Sequence, residues 1–385
     1  MIASEITALL DPLERFEAVR RRAFRLGDRL ADLSYANPYA GVQEQARAIL
    51  ADALATERPL SLQYSPFGGQ TMARRAVADS LRASHGLAAS FRDVVLTPGA
   101  MSALQLALRA SGSPGGDVIV PTPCWLDFPL YAHHCGHVPV TVALPPPGFD
   151  LDVDAIAAAV TSRTCALLLA DPANPTGRNY SRRSLEELAR ALHEREEALG
   201  CEITVISDET HRDFVDREDY TSISAFFERT LLVHSFGKYH FMQGQRLGYV
   251  ATSPLHPARE EVRTELVRWT RVSGIATPTA LMQQALPALL AVRYPHEAVS
   301  YWRERVCEEL TASGYEVVPP DGTLFVYVRT PAGVDDWEFV DRLVSRGVLV
   351  LPAAVFHHDG YVRLSLTGSE RMLEQALPVL KGMAS

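Results

Sequence analysis

The chain has 385 residues, 47% hydrophobic and 22% charged, with a net charge of -9. That length and balance fit a globular enzyme of two units with a sizeable core. They exclude nucleic acid as the expected partner, because counterion release needs a basic face, while a few placed arginines can still hold a small anion.

The five cysteines are scattered and form no Cys-x-x-Cys pair, which fits a reducing cytoplasm rather than a disulfide framework. The first thirty residues mix Asp, Glu and Arg, so no signal peptide is expected. The apolar stretch Leu281–Val292 is broken by Gln283, Gln284 and Pro287 and is too short to span a bilayer. A cytoplasmic protein with no membrane partner is the expectation.

In chain order, Val42–Thr56 reads as a helix expected to pack on the C-terminal unit. From about residue 90, short apolar runs alternate with helical stretches. Strands are predicted at Asp93–Leu96, Asp117–Pro121, His137–Val142, Thr164–Ala170, Glu202–Asp208, Thr230–Ser235 and Arg246–Ala251. Runs as apolar as Ala166-Leu167-Leu168-Leu169 predict strands covered on both faces. Between them, Ser184-Leu185-Glu186-Glu187 has the pattern of a capping box, and Leu185, Leu188, Ala189, Leu192 and Leu199 recur at helical spacing. The prediction is α/β, a three-layer αβα unit with a mostly parallel sheet. After Tyr294-Pro295 the pattern changes: a charged helix over 297–312, a second helix over 337–345, and strands at Thr323–Val328, Val348–Pro352 and Tyr361–Leu366. That predicts a small α+β unit. The expected division is an N-terminal arm and helix (1–56), a large unit (57–292) and a small one (293–385).

The residues that carry chemistry cluster where these strands end, the edge at which open parallel sheets bind ligands. Lys238 follows an apolar strand in Ser235-Phe236-Gly237-Lys238, and Arg246 lies eight residues on. A lysine amine can condense with an aldehyde, and once freed it is a base. Thr97-Pro98-Gly99-Ala100-Met101-Ser102 leaves a strand and opens an apolar helix, a place where backbone N–H groups meet a phosphate; taken alone it is as readily a plain strand-to-helix turn. Asp208 ends its strand and could hold a ring nitrogen protonated, or cap a helix. Trp125 could stack on a ring, or be core. Asn174, in Asn174-Pro175-Thr176-Gly177, could bind a ring hydroxyl, or mark a turn.

Together, in this order and spacing, these residues resemble fold-type I pyridoxal 5'-phosphate (PLP) enzymes of the class I/II aminotransferase family, from about Leu33 to Leu366. The resemblance implies Lys238 as the Schiff-base lysine and Asp208 as the partner of the pyridine nitrogen, with Asn174 at the ring hydroxyl and Trp125 on the ring face. It implies Gly99, Ala100, Met101, Ser235 and Arg246 around the phosphate. Tyr64 resembles the tyrosine that reaches a neighbouring subunit's phosphate, and Arg363 the arginine that clamps the substrate α-carboxylate with its planar fork. The implied assembly is a homodimer with the site at the interface, taking an amino acid and a keto acid as substrates.

Two departures stand out. In Asp208-Glu209-Thr210-His211, histidine replaces the family's usual tyrosine near the ring hydroxyl, and a similar Asp-Glu-x-His occurs in the carbon–sulfur β-lyase branch of the fold. A PLP-dependent lyase or cyclase is therefore the alternative to an aminotransferase, with a non-catalytic binding protein ranked last. Gly237 stands where many relatives carry a second serine. His133, His134, Cys135 and His137 include an i,i+4 histidine pair of the kind that can bind zinc. They lack a completing ligand and read as a solvent-side cluster, so no metal is expected. His357-His358-Asp359 reads as a loop before the last strand.

Overall fold

The structure is a computed structural model that describes residues 4–39, 41–56, 62–215, 219–293 and 296–384. Seven strands form the central sheet: β1 (Val94–Thr97), β2 (Asp117–Thr122), β3 (Val138–Ala143), β4 (Thr164–Ala170), β5 (Thr204–Asp208), β6 (Thr230–Ser235) and β7 (Gly248–Thr252). Across the sheet they run β1-β7-β6-β5-β4-β2-β3. All are parallel except β7, which is antiparallel to both β1 and β6.

The apolar runs explain the layering. Side chains alternate faces along a strand. Leu167 and Leu169 of β4 therefore enter one core with Leu185, Leu188 and Leu192 of the helix α2 (Arg182–Leu199). Ala166 and Leu168 enter the opposite core with Leu104 and Leu106 of the helix α1 (Ala100–Ala110). A strand with both faces covered needs no polar side, and this gives the three-layer αβα arrangement.

Beyond the sheet, β8 (Phe325–Arg329) and β9 (Tyr361–Ser365) pair antiparallel, with Tyr327 opposite Arg363. They lie at the centre of a four-stranded sheet edged by Val317–Val318 and Leu351–Pro352. Helices Glu297–Ala312, Asp336–Val344 and Glu370–Lys381 contribute to its core, as does the N-terminal helix Ser4–Ala23 through Phe16 and Val19. Ala31–Asp32 pairs in parallel with Val348–Leu349.

The structure departs from the sequence reading in several places, each with a local cause. The helix Glu44–Ala55 packs through Ala46 on Ala285, Leu286 and Leu289, on the flank of the large sheet, rather than on the C-terminal unit. Its neighbour Ala280–Ala291 is a largely apolar helix, and it offers Ala285, Leu286 and Leu289 as the surface to pack on. The α2 cap is Ser181, whose hydroxyl accepts from the Ser184 amide, so Ser184 is already inside the helix. β5 starts at Thr204 rather than Glu202 because the Ile203 amide donates to the Glu196 carboxylate, not to the ladder. β3 starts after His137, whose amide donates back to the Ala132 carbonyl. β7 starts at Gly248 because Arg246 is left-handed, with φ 45°. Tyr294-Pro295 lies outside the described residues.

His133 is in the helix Phe128–His134, but His137 lies beyond its end and turns Nε2 toward the Leu108 carbonyl. The pair therefore does not share a helix face. Among the described residues no group of three or more His, Cys, Asp or Glu side chains is placed to hold a metal, and no helix is long and apolar enough to cross a membrane.

Leu168 is 1% exposed at the centre of β4. Leu168→Ala should destabilise the fold by about 2–5 kcal/mol through lost burial and the cavity left behind, read as a lower denaturation midpoint in urea.

Candidate active site

The parallel strands bring their carboxyl ends to one edge of the sheet. Asp208 closes β5 and Ser235 closes β6, while Thr97, Ala170 and Thr122 close β1, β4 and β2. The one antiparallel strand adds to the same edge from its amino end, since Gly248 lies opposite both Thr97 and Ser235. Arg246, two residues earlier, is delivered there too. A cavity of about 200 Å³ opens at this edge, lined by Ala100, Met101, Trp125, Asn174, Asp208, His211, Ser235, Lys238 and Arg246 among others.

One wall is built to receive an anion. Gly99 is the N-cap of α1, at φ 84°, and no side chain caps this helix end. The first N–H groups of the helix therefore lack a side-chain acceptor, at the pole where the helix dipole is positive. Arg246 crosses directly over this end, its Nη1 donating to the Gln243 carbonyl at 2.8 Å. A Cβ on Gly99 would lie 2.7 Å from Arg246 Nη2, and one on Gly248 would lie 2.5 Å from the His234 carbonyl oxygen. The absence of two side chains lets guanidinium, helix end and strand end converge. Ser235 is buried beside them.

The opposite wall carries the titratable groups. Lys238 sits in the short helix α3 (Phe236–Tyr239) just past β6. Burial, with help from Arg363 and Arg246, pushes its amine down to about 8. Burial raises the Asp208 carboxyl, against hydrogen bonds from Thr210. The Thr210 amide and hydroxyl both donate to Asp208 Oδ1, at 3.1 and 2.5 Å. His211 is 5% exposed, and burial, then the charges of Lys238 and Arg363, holds it well below the usual imidazole range. Among the described residues its buried Nδ1 has no hydrogen-bond partner, and the ring lies beside the cavity.

Arg363 lies on β9, 1% exposed, and is not part of the cavity lining. It reaches the cavity through Asn174: Nη1 donates to Asn174 Oδ1 at 2.9 Å and Nη2 to the Ser34 carbonyl at 2.7 Å. The Phe325 ring lies under the guanidinium at 3.8 Å, and among the described residues Nε has no hydrogen-bond partner. Tyr64 is fully exposed and lies off the cavity of this chain.

Gly237 has a packing role. A Cβ there would lie 3.0 Å from Gln243 Cα, so glycine lets the turn carrying Gln243 close against α3. The sequence reading missed Thr210 and Gln243, which also line the cavity. Thr210 sits inside the motif already noted, two residues after a strand-end aspartate, a common spacing for such a hydrogen bond. Gln243 carries no such signal. His357 and His358 lie apart from this cavity, His357 Nε2 against the Leu126 carbonyl and His358 Nδ1 3.4 Å from the Tyr327 hydroxyl.

The comparisons agree with the geometry. A family model described as aminotransferase class I and II matches residues 32–380. An aspartate/prephenate aminotransferase of Thermus thermophilus is 32% identical over 342 residues, covering 87% of this chain and 85% of that protein. A solved aspartate aminotransferase of the same organism, a double mutant, superimposes with a TM-score of 0.85 at 29% identity, covering 100% of this chain and 97% of its own. An amino transferase from Eubacterium rectale reaches a TM-score of 0.90 at 23% identity, covering 100% and 98%, and speaks for the fold.

Gly99→Ala would push a methyl group into Arg246. It should weaken binding of added PLP by about tenfold, near 1.4 kcal/mol, and also lower the unfolding midpoint, because residue 99 sits at φ 84° and ψ 178°, backbone that a side chain adopts only at a cost of about 1–3 kcal/mol. Undiminished affinity in an absorbance titration would refute the anion-binding wall.

Proposed function

We propose, for a chain that belongs to the class I and II aminotransferase family, that it binds PLP through Lys238 and transfers the amino group of an α-amino acid to a 2-oxo acid. The observation that carries this reading is the position of Lys238. The chain has only two lysines. Lys381 is ion-paired with Glu309 at 3.0 Å on the C-terminal helix, whereas Lys238 faces the cavity where Asp208, Arg246 and an uncapped helix end meet.

The residues present fit the cofactor. Arg246, Ser235 and the N–H groups at Gly99, Ala100 and Met101 would hold its phosphate. The Asp208 carboxylate would pair with its ring nitrogen, Asn174 and the unpartnered Nδ1 of His211 would meet its ring hydroxyl, and Trp125 would cover a ring face. When bound, PLP supplies an aldehyde that bonds an amine and a ring that accepts the electrons of a substrate Cα–H bond.

The chain's own groups do the rest. Lys238 Nζ would hold the cofactor's aldehyde carbon until a substrate amine takes that place. It is then a free amine beside the substrate Cα, lowered toward neutral pH by burial, so it can take a proton there and return it elsewhere. Arg363 would orient the substrate by its α-carboxylate, with Asn174 between the guanidinium and the cavity. Asp208 must stay charged throughout, and the two Thr210 hydrogen bonds support that. Tyr64, exposed on one copy, would contribute to the phosphate site of a second in a homodimer. The five free cysteines support a reducing, cytoplasmic setting.

Borohydride reduction of the PLP-loaded chain should tag Lys238 and leave Lys381 unmodified by peptide mass analysis. Lys238→Ala should fold and lose both the tag and turnover; tagging at Lys381 alone would overturn the assignment. In a half-reaction with single amino acids and no 2-oxo acid added, one 2-oxo acid per site should form without ammonia. Continuous ammonia release would instead mean elimination. Because the neutral amine is the nucleophile, capture of PLP should accelerate as pH rises through about 8, the value to which burial lowers Lys238.

A further inference from the structure

We propose that His357 is a positioning residue for Trp125: from the C-terminal unit it grips the segment that carries Trp125 and so fixes the indole that covers the cofactor ring. The role toward the ring rests on the function proposed above; the grip on the segment does not.

Trp125 sits at a seam. It lines the cavity and packs on two cores, the one between α1 and the large sheet and the one in the C-terminal unit. Its sequence neighbours follow β2, yet both are tied to the C-terminal unit. The Cys124 amide donates to the Phe356 carbonyl at 3.2 Å. His357 Nε2 lies 3.0 Å from the Leu126 carbonyl oxygen, and because a carbonyl only accepts, the ring N–H donates. The Leu126 side chain, 6% exposed, enters the same core as Val355 and Phe356. Within the segment the Trp125 carbonyl is taken by the Phe128 amide at 3.0 Å, which closes it into a turn. The two backbone ties therefore flank Trp125 on either side and end on adjacent residues, Phe356 and His357.

The backbone at His357 shows that this tie is held at a cost. The residue follows the short helical turn Ala353–Phe356 in the left-handed region, at φ 59° and ψ 39°. A residue with a side chain is uncommon there, whereas glycine meets no penalty. Such a conformation persists where the surroundings over-determine it, and the contact to Leu126 is what the imidazole supplies. The same turn also reaches the substrate side of the site, since the Phe356 ring lies 4.8 Å from the Arg363 guanidinium. One short turn thus holds the indole segment and packs on the arginine assigned to the α-carboxylate. His357 itself lies outside the cavity lining, so it acts through the segment.

His357→Gly is the variant to test, because glycine suits the left-handed backbone and removes only the imidazole. Its unfolding midpoint should stay within a few degrees of wild type. In the ligand-free chain, amide hydrogen exchange over residues 124–128 should be faster by about tenfold, a local loosening. Added PLP should bind about tenfold more weakly. His357→Gln, which can put an amide N–H near the position of Nε2, should recover most of both. In a Trp125→Ala background the same His357→Gly change should cost PLP affinity only about twofold or less, because a residue that acts through Trp125 has nothing left to position. Unchanged exchange over 124–128 overturns the grip. A lowered midpoint with faster exchange throughout the chain means a general structural role and also overturns it. Unchanged PLP affinity in His357→Gly, or a full tenfold loss in the Trp125→Ala background, overturns the role toward the ring. If borohydride fails to tag Lys238 in the wild-type chain the aminotransferase reading falls, while the exchange result still decides the grip.

Discussion

Desolvation is the constraint on which the site depends. The cavity at the strand ends holds Lys238 and Asp208 half-buried together, and burial disfavours the charged form of each. For Lys238 the effect is useful, because an amine lowered toward neutral pH is a nucleophile and a base. For Asp208 it is a cost, because a neutral carboxyl cannot hold a cationic ring nitrogen. The two residues need opposite outcomes from one environment, and the surrounding structure separates them. Arg246 and Arg363 add positive charge that drives Lys238 further down. Thr210 donates two hydrogen bonds to one oxygen of Asp208, and these favour its charged form.

The sheet makes this arrangement possible with little local design. Parallel strands share a carboxyl edge, so residues 97, 122, 170, 208 and 235 arrive side by side although they span 138 positions of chain. The single antiparallel strand inverts that rule and brings Arg246 in from its amino end. Gly99 and Gly248 are the two positions where the convergence is tight enough that a Cβ would collide with backbone or guanidinium. The C-terminal unit contributes by one long reach: β9 places Arg363 against Asn174, 189 residues away in sequence.

His211 shows how a change of residue type reshapes a site without disturbing the fold. It stands where the resemblance led to the expectation of a tyrosine, and it is buried, held well below the usual imidazole range, and packed against Phe325 and Phe214. A phenol is replaced by a ring whose two nitrogens differ in role according to where its one proton sits. The unpartnered Nδ1 leaves that choice to whatever occupies the cavity.

Much of this was legible in the sequence because it is local. Apolar runs announce strands buried on both faces, and Lys238, Asp208, Asn174 and Gly99 sit at or just past their ends, so motif and element identify one another. Where neighbouring groups compete, locality failed. Ser181 and Ser184 are equally plausible caps until the helix start is known, and Glu202 reads as strand until the Glu196 carboxylate takes the Ile203 amide. The helix Glu44–Ala55 was assigned to the wrong unit because an amphipathic pattern says that a face is buried but not against what. By itself the sequence determined the α/β layering, the strand ends and the lysine that faces the cavity, since these follow from side-chain period and residue chemistry. Only the tertiary structure decided which polar groups share a dielectric: that Arg363 meets Asn174, and that Glu209 is engaged by His85 and Arg212. Coulombic coupling depends on distance and burial in space, and neither is encoded by spacing along the chain.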